Sequence, residues 1–176
     1  MRSFPLARAY RLIEPGPVVL LATSRRGIPN VMAMSWHMMV EFTPPQIACI
    51  VSNRNHSFEA LRRTKECVIG IPPAEFLETV VAIGNCSGAD TDKFESLGIA
   101  RKPARHVAAP LLPDCFANLE CRVIDTRMVN AYCMFILEVV QAWIDPERRD
   151  ARMVHHQGWG KFAVDGRTIR LPSGKA

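Results

Sequence analysis

The residues best suited to chemistry lie in the stretch "VSNRNHSF", where an apolar run ends and polar residues precede a helical pattern. Ser52 and Ser57 offer hydroxyl groups, Asn53 offers an amide, and Arg54 carries a planar cation that suits a phosphate. The first N–H groups of a helix lack intrahelical partners, and the helix dipole favours an anion there. The stretch therefore predicts a phosphate cradle. The alternative is a helix capped by Asn55 or Ser57, with Arg54 in solvent.

A second group of candidate residues lies on the predicted strand "NVMAMSWHMMV", residues 30–40. Alternation along a strand places Ser35 and His37 on one face and four bulky side chains on the other. These four are Met32, Met34, Trp36 and Met38. They could pack in a core or flank a flat aromatic ligand, and the residues alone leave both interpretations open.

Two later stretches carry titratable groups. In "CSGADTDKF" Lys93 follows a polar turn, where it could pair with Asp90 or Asp92. In "VHHQGWGKF" His155 and His156 are adjacent, so on a strand they point to opposite faces and make poor joint metal ligands. Further ligands at a recognisable spacing are missing, and we expect no metal site.

Composition excludes several classes of protein. The chain has 176 residues, which predicts one domain, and its net charge of +5 is spread over scattered basic pairs with only 7% aromatic residues. A nucleic-acid partner is therefore not expected. There is no run of about 18 apolar residues that could span a membrane. The six cysteines form no Cys-x-x-Cys and lie mostly in apolar runs, as expected for packing residues in a reducing cytoplasm.

The strands and helices that hold these candidate residues are predicted from hydrophobic periodicity and turn residues. Strands outnumber helices and the last third is nearly all strand, which favours an antiparallel barrel with helical insertions. No phosphate-binding glycine loop, zinc-protease or serine-hydrolase motif occurs. Strands are predicted at residues 18–24, 30–40, 47–52, 67–71, 115–129 and 131–144 and in the tail, and helices at 5–13, up to Thr64, at 74–84 and before Gly98.

An ordered series of motifs resembles the flavin reductase-like, FMN-binding split-barrel family. The series comprises "GIPNVMAMSW", a Pro-Pro loop, Ser-Asn-Arg-x-x-Ser, "VIGIP", "CSGADTDKF" and "HHQGWGKFAVDGRTIRLPS", and it spans residues 10–173. The resemblance implies one domain over residues 1–176, mainly β with added helices. It further implies a six-stranded Greek-key split β-barrel and a homodimer with FMN in a groove near the dimer interface.

The resemblance also implies site residues, at matching positions only. Ser52, Asn53, Arg54 and Ser57 fall where the family binds the FMN phosphate. The strand along the isoalloxazine ring and ribityl chain corresponds to Asn30, Met34, Ser35 and Trp36, and Lys93 falls in an element often near the cofactor. The triplet His37-Met38-Met39 departs from the aromatic or Thr-Pro residues of many relatives, and Trp159 receives no role.

The activity implied is hydride transfer from NAD(P)H to flavin N5, with FMN as cofactor and FAD as an alternative. Two other functions remain open: an electron-transfer flavoprotein of the flavoredoxin kind that receives electrons from a protein partner, and a flavin-binding protein without turnover. The partners implied are a second copy of the chain and a monooxygenase or redox protein. No residue is expected to act as a catalytic acid or base. We expect the cysteines and both tail histidines to be dispensable for flavin reduction, with Cys86 as the exception to test.

Overall fold

The computed structural model describes residues 5, 16–148 and 151–172. The helix predicted at residues 5–13 lies, apart from Pro5, outside the described residues. Short 3-10 turns occur at Ala74–Phe76 and Pro146–Arg148. The helices are α1 (His56–Thr64), α2 (Leu77–Asn85), α3 (Lys93–Ser96) and α4 (Val129–Tyr132). The strands are β1 (Val19–Arg25), β2 (Ile28–Met34), β3 (His37–Phe42), β4 (Pro45–Ile50), β5 (Glu66–Ile71), β6 (Ala117–Asp125), β7 (Met134–Ile144), β8 (Val154–His156) and β9 (Phe162–Val164).

The main sheet is antiparallel and contains seven strands in the order β2-β1-β5-β6-β7-β4-β3, while β8 and β9 form a separate hairpin. The prediction of a mainly β protein with added helices is confirmed. The main sheet has one strand more than the six implied by the resemblance. The single strand predicted at residues 30–40 is wrong, because the chain turns at Ser35 and Trp36. There the His37 N–H donates to the Ser35 carbonyl at 3.1 Å, and the Ile50 N–H donates to the Trp36 carbonyl at 3.0 Å.

This break explains how the sheet closes. Strands β2 and β3 lie at opposite edges of the sheet, yet only Ser35 and Trp36 separate them along the chain. Three peptide steps join Met34 to His37 and span at most about 11 Å. The sheet must therefore curl until its two edges nearly meet, which gives a barrel that is split at this point.

The curled sheet separates two apolar layers. Strand β1 is buried on both faces, which is why its sequence is a continuous apolar run instead of an alternating one. The interior layer includes Leu21, Met34, Phe135 and Leu137, and it is covered by α1 through Phe58 and Leu61. The outer layer includes Leu20, Val31, Val80, Ile83 and Phe94, and it is covered by α2, α3 and the connection that follows.

The two long strands predicted near residues 115–129 and 131–144 are shorter than expected. Strand β6 ends at Asp125, whose carboxylate accepts from the Arg127 N–H at 2.8 Å and ends the ladder in a turn. The chain then forms α4, which ends at Cys133 in a left-handed conformation. Local side-chain hydrogen bonds of this kind compete with strand pairing, which explains the shorter elements.

A buried carboxylate fastens the long connection after α3 to the sheet. Glu120 on β6 is fully buried and accepts from the Arg105 N–H at 3.0 Å, the His106 N–H at 2.6 Å and the Trp143 indole at 2.8 Å. Burial raises the pKa of Glu120, but the hydrogen bonds from Arg105, Trp143 and His106 outweigh it, and the pKa lies below its ordinary value. Glu120 is thus held as a charged acceptor for the connection.

The four buried cysteines behave as packing residues. All six are free thiols, and four are buried. Burial raises the pKa of Cys49 to about 12, and burial likewise raises the pKa of Cys115 to about 12. Thiols with such pKa values carry almost no reactive thiolate at neutral pH.

Within the described part of the chain, no helix is long and apolar enough to cross a membrane.

Candidate functional site

A cleft runs along β2 between the start of α1 and the end of α2. It consists of two adjoining cavities of about 350 Å³ and about 300 Å³, which share Ala33, Gly84 and Asn85 as walls. The first cavity lies beside Asn30 and the second beside Met34 and Ser35, so the cleft follows the direction of β2. This shape fits an elongated ligand whose two ends meet different surroundings.

The first cavity contains the start of α1. Arg54 and Ser57 line it, as do Asn55 and His56. Asn55 is the N-cap residue, but no side-chain hydrogen bond caps the helix. The side-chain cap by Asn55 or Ser57 is therefore wrong, since the Ser57 hydroxyl accepts instead from the Asn30 amide at 2.8 Å. The other part of that alternative agrees with the structure, because Arg54 is exposed. At the start of α1 the Phe58 N–H donates to the Asn55 carbonyl at 3.0 Å, and the N–H groups of His56 and Ser57 remain to face an anion.

Asn30, Ser57 and Gly88 form a tightly packed cluster at the floor of this cavity. Asn30 and Ser57 are both buried, although their side chains are polar. A Cβ atom on Gly88 would overlap the Oδ1 atom of Asn30. Glycine is therefore required at position 88 for the polar turn after α2 to approach β2.

We expect Gly88→Ala to displace the Asn30 side chain and break its hydrogen bond to Ser57. The unfolding free energy should fall by about 1–3 kcal/mol, because the added methyl group overpacks a buried cluster. Urea unfolding monitored by circular dichroism measures this change. Gly166→Ala is the matched control, because a Cβ atom there meets no other atom within 4 Å. Equal stability of the two variants would show that the cluster is not rigid.

Lys93 places a second cation in the first cavity. Its side chain is only 5% exposed, and its Nζ donates to the Ile83 carbonyl at the end of α2 at 2.8 Å. The suggested pairing with Asp90 or Asp92 is not found, because Asp92 instead accepts from the Phe94 N–H at 3.0 Å and caps α3. Burial lowers the pKa of Lys93, while neighbouring Cys86 acts in the opposite direction.

The charges of the first cavity match an anion. Arg54 and Lys93 both line it, and none of the described residues in its wall is an aspartate or a glutamate. A buried cation without a carboxylate partner gains most from an anionic ligand. The donor set of a guanidinium, an ammonium, a hydroxyl and a helix start is the chemistry that a phosphate group requires.

The second cavity has mostly apolar walls. Val18 and Met34 form one side, Val80 and Val81 of α2 form another, and Phe162 of β9 closes it. His156 also lines it, while the His155 Nε2 lies 2.9 Å from the Asp165 carboxylate. The two histidines thus face different sides of the hairpin, as expected for adjacent residues on a strand. Walls of this kind suit a flat ring with a few polar atoms.

Not every predicted site residue reaches the cleft. Asn30, Arg54, Ser57 and Lys93 line the first cavity, and Met34 and Ser35 line the second. Three predicted residues line neither: the Ser52 hydroxyl accepts from the Arg54 N–H at 3.3 Å and shapes the loop, Asn53 is exposed, and Trp36 is 53% exposed at the strand break.

Several lining residues were not predicted. The end of α2 contributes Ile83, Gly84 and Asn85, and the tail contributes His156 and Phe162. Their positions are 49 or more residues from β2 along the chain. Only the polar turn after α2 gave a signal, through Cys86, which does line the first cavity. His37 lines neither cavity, and its Nε2 lies 2.8 Å from the Pro17 carbonyl.

Comparison with known proteins agrees with this architecture. Residues 11–161 match the flavin reductase like domain. The uncharacterized protein YddH of Escherichia coli (strain K12) is 31% identical over 180 residues, covering 93% of this chain and 94% of YddH. An FMN-binding domain of a flavin reductases-like enzyme from Shewanella baltica OS155 superposes with a TM-score of 0.84 at 28% identity, covering 97% of each chain. Flavoredoxin of Desulfovibrio vulgaris (Miyazaki F) shares the fold, with a TM-score of 0.85 at 24% identity and 99% coverage of each chain.

Proposed function

Because this chain belongs to the flavin reductase-like domain family, we propose that it is an oxidoreductase that binds FMN in the cleft along β2 and reduces it with NADH or NADPH. The single observation that supports this most strongly is the polarity of the cleft. One end carries Arg54 and Lys93, and the other end is mainly apolar. FMN has a phosphate at one end and a flat ring system at the other.

The residues of the cleft fit each part of FMN. Arg54, Lys93 and the start of α1 would hold the phosphate, and Asn30 would keep the Ser57 hydroxyl in place for it. The mostly apolar walls around Met34 and Val80 would pack against the ring and keep water from it. When bound, the flavin supplies the hydride chemistry itself, so the protein contributes binding, orientation and exclusion of water.

An anaerobic reduction experiment tests this function. Purified protein loaded with FMN is mixed with NADH or NADPH, and the visible absorption of the flavin is followed. Bleaching by either nicotinamide supports the reductase. A flavin that remains oxidised with both, yet is bleached by dithionite, would contradict the reductase and indicate electron transfer from a protein.

We further propose that the protein is a homodimer and that β3 contributes to the interface. β3 is an edge strand of the sheet and exposes apolar side chains, including Met38, Val40 and Phe42, of which Phe42 is 81% exposed. A monomer rarely leaves such a patch in water. A second copy that covers it in an obligate dimer would typically bury more than about 2,000 Å² in total.

Light scattering should therefore give twice the chain mass of 19.7 kDa. The double variant Met38→Glu, Phe42→Glu should be a monomer at micromolar concentration, because two buried like charges would face each other across the interface. A wild-type monomer that still holds FMN would contradict the dimer. The matched control is Ile28→Glu, an equally exposed apolar residue on β2.

A further inference from the structure

The β8–β9 hairpin forms one wall of the apolar cavity and presents a histidine to it. His156 and Phe162 are direct partners across the two strands, so they share a face. Their rings lie 5.0 Å apart at an angle of 44°. Both side chains line the cavity that also contacts Met34 and Ser35. His156 therefore stands at the end of the cleft opposite Lys93.

The two adjacent histidines have different surroundings. His155 faces Asp165, which also accepts from the Met153 N–H at 3.2 Å, so this histidine belongs to the internal bonding of the tail. The His156 ring, in contrast, has no hydrogen-bond partner among residues 5, 16–148 and 151–172. A half-buried imidazole without a partner in a mostly apolar cavity is unfavourable, and a ligand with polar ring atoms would relieve this.

The hairpin holds His156 in a fixed position. The Gln157 N–H donates to the Lys161 carbonyl at 2.8 Å, and the Lys161 N–H donates to the Gly158 carbonyl at 3.1 Å. Gly158, Trp159 and Gly160 all have positive φ angles, which makes the turn tight. At the base of the hairpin the Val18 N–H donates to the Val154 carbonyl at 2.7 Å. A group held this firmly can select between two states of a ligand at little entropic cost.

We propose that His156 is a positioning residue that hydrogen-bonds the polar edge of the flavin ring and binds the reduced flavin more tightly than the oxidised one. This inference rests on the proposed function. In the proposed reaction the nicotinamide would give two electrons and one proton to flavin N5 and become NAD(P)⁺, so the flavin ring would gain one negative charge, carried at its polar edge. An N–H donor placed at that edge stabilises the developing charge, and His156 itself gives up no proton.

The test compares the affinities of the two redox states of FMN. The dissociation constant of oxidised FMN is measured by fluorescence, and the midpoint potential of bound FMN gives the ratio of the two constants. We expect His156→Phe to weaken the binding of reduced FMN about tenfold more than that of oxidised FMN. For a two-electron couple this ratio corresponds to a fall of about 30 mV in potential.

Two further variants separate this role from a general effect on the hairpin. His156→Gln retains an N–H donor and should keep the ratio within about threefold of the wild type. His155→Gln perturbs the same hairpin on its other face and should leave the ratio unchanged. Thermal unfolding of each empty variant shows whether it has folded.

The outcomes are distinct for the inference and for the proposed function. If His156→Phe binds FMN with the wild-type ratio, the inference is wrong while the proposed function stands. If His156→Gln or His155→Gln changes the ratio as much as His156→Phe does, the role is structural and the inference is likewise wrong. A wild-type protein that binds no flavin at all would overturn both.

Discussion

Lys93→Met is expected to weaken FMN binding by roughly 10- to 100-fold and to leave riboflavin binding within about twofold of the wild type. The ammonium group of Lys93 lies almost fully buried in the first cavity, next to the end of α2. A hydrogen bond between a charged donor and a phosphate contributes about 1.5–3 kcal/mol, and each 1.4 kcal/mol is a factor of ten in affinity. Riboflavin lacks the phosphate and should not respond.

The same lysine predicts how FMN affinity depends on pH. Burial lowers the pKa of Lys93, and a phosphate beside it would raise that pKa again because the opposite charge favours the protonated form. FMN affinity should therefore fall as pH rises through the pKa that Lys93 has in the empty protein, and Lys93→Met should remove this dependence. Fluorescence titration at several pH values measures both effects.

Lys102→Met is the matched control, because Lys102 is exposed and lies outside the cleft. It should bind both flavins like the wild type. Equal losses of FMN and riboflavin in Lys93→Met would mean that Lys93 supports the fold of the cavity and not the phosphate. Urea unfolding of the empty variant distinguishes such a loss from simple instability.

Glu120→Ala is expected to lower the unfolding free energy by roughly 2–4 kcal/mol. The substitution removes the acceptor of three N–H groups, from Arg105, His106 and Trp143, and each buried donor left unpaired costs about 1–3 kcal/mol. The lower part of the summed range applies because Arg105, His106 and Trp143 are all exposed residues, so their freed N–H groups can reach water. Glu78→Ala, an exposed carboxylate on α2, should change stability by less than about 0.5 kcal/mol.

The contribution of Glu120 to the free energy of unfolding should also depend on pH. Its pKa in the folded protein lies below the ordinary value, because the hydrogen bonds from Arg105, Trp143 and His106 outweigh the effect of burial. A lowered carboxyl pKa adds stability that is complete above the ordinary pKa and is lost as pH falls through the folded-state value. Urea unfolding at neutral and acidic pH should show the wild type losing more stability in acid than Glu120→Ala. Equal losses of stability in the wild type and in Glu120→Ala would contradict the role of Glu120 as a charged acceptor.

The sequence predicts most of the local elements and part of the fold. Strand β1 and helix α1 are correctly placed because a continuous apolar run and a polar-to-helical transition are local signals. The break between β2 and β3 is not predicted, because the two residues at the break, Ser35 and Trp36, are neither glycine nor proline. The residues on either side of them favour strands. That break is set by the pairing of β3 with β4, which places β3 at the edge of the sheet opposite β2.

The site is predicted on one wall only. The loop before α1 and the residues of β2 could be identified, since they lie close together in sequence. The opposite wall, formed by Gly84 and His156, could not, because it is brought to β2 by packing of α2 and by the tail hairpin. Lys93 lines the first cavity, and its role toward a cofactor stays a prediction, whereas pairing with Asp92 is not found. Asp92 caps α3, and this leaves Lys93 free to turn toward the end of α2.

The central claim is that the cationic end of the cleft binds the phosphate of FMN. Parallel titrations of the empty protein with FMN and riboflavin, followed by flavin fluorescence, test it most directly. With Arg54 and Lys93 both facing the phosphate, FMN should bind about 100-fold or more tightly than riboflavin. Arg54→Ala should reduce this preference about tenfold without changing riboflavin affinity. Equal affinities of the wild-type protein for the two flavins would contradict the account.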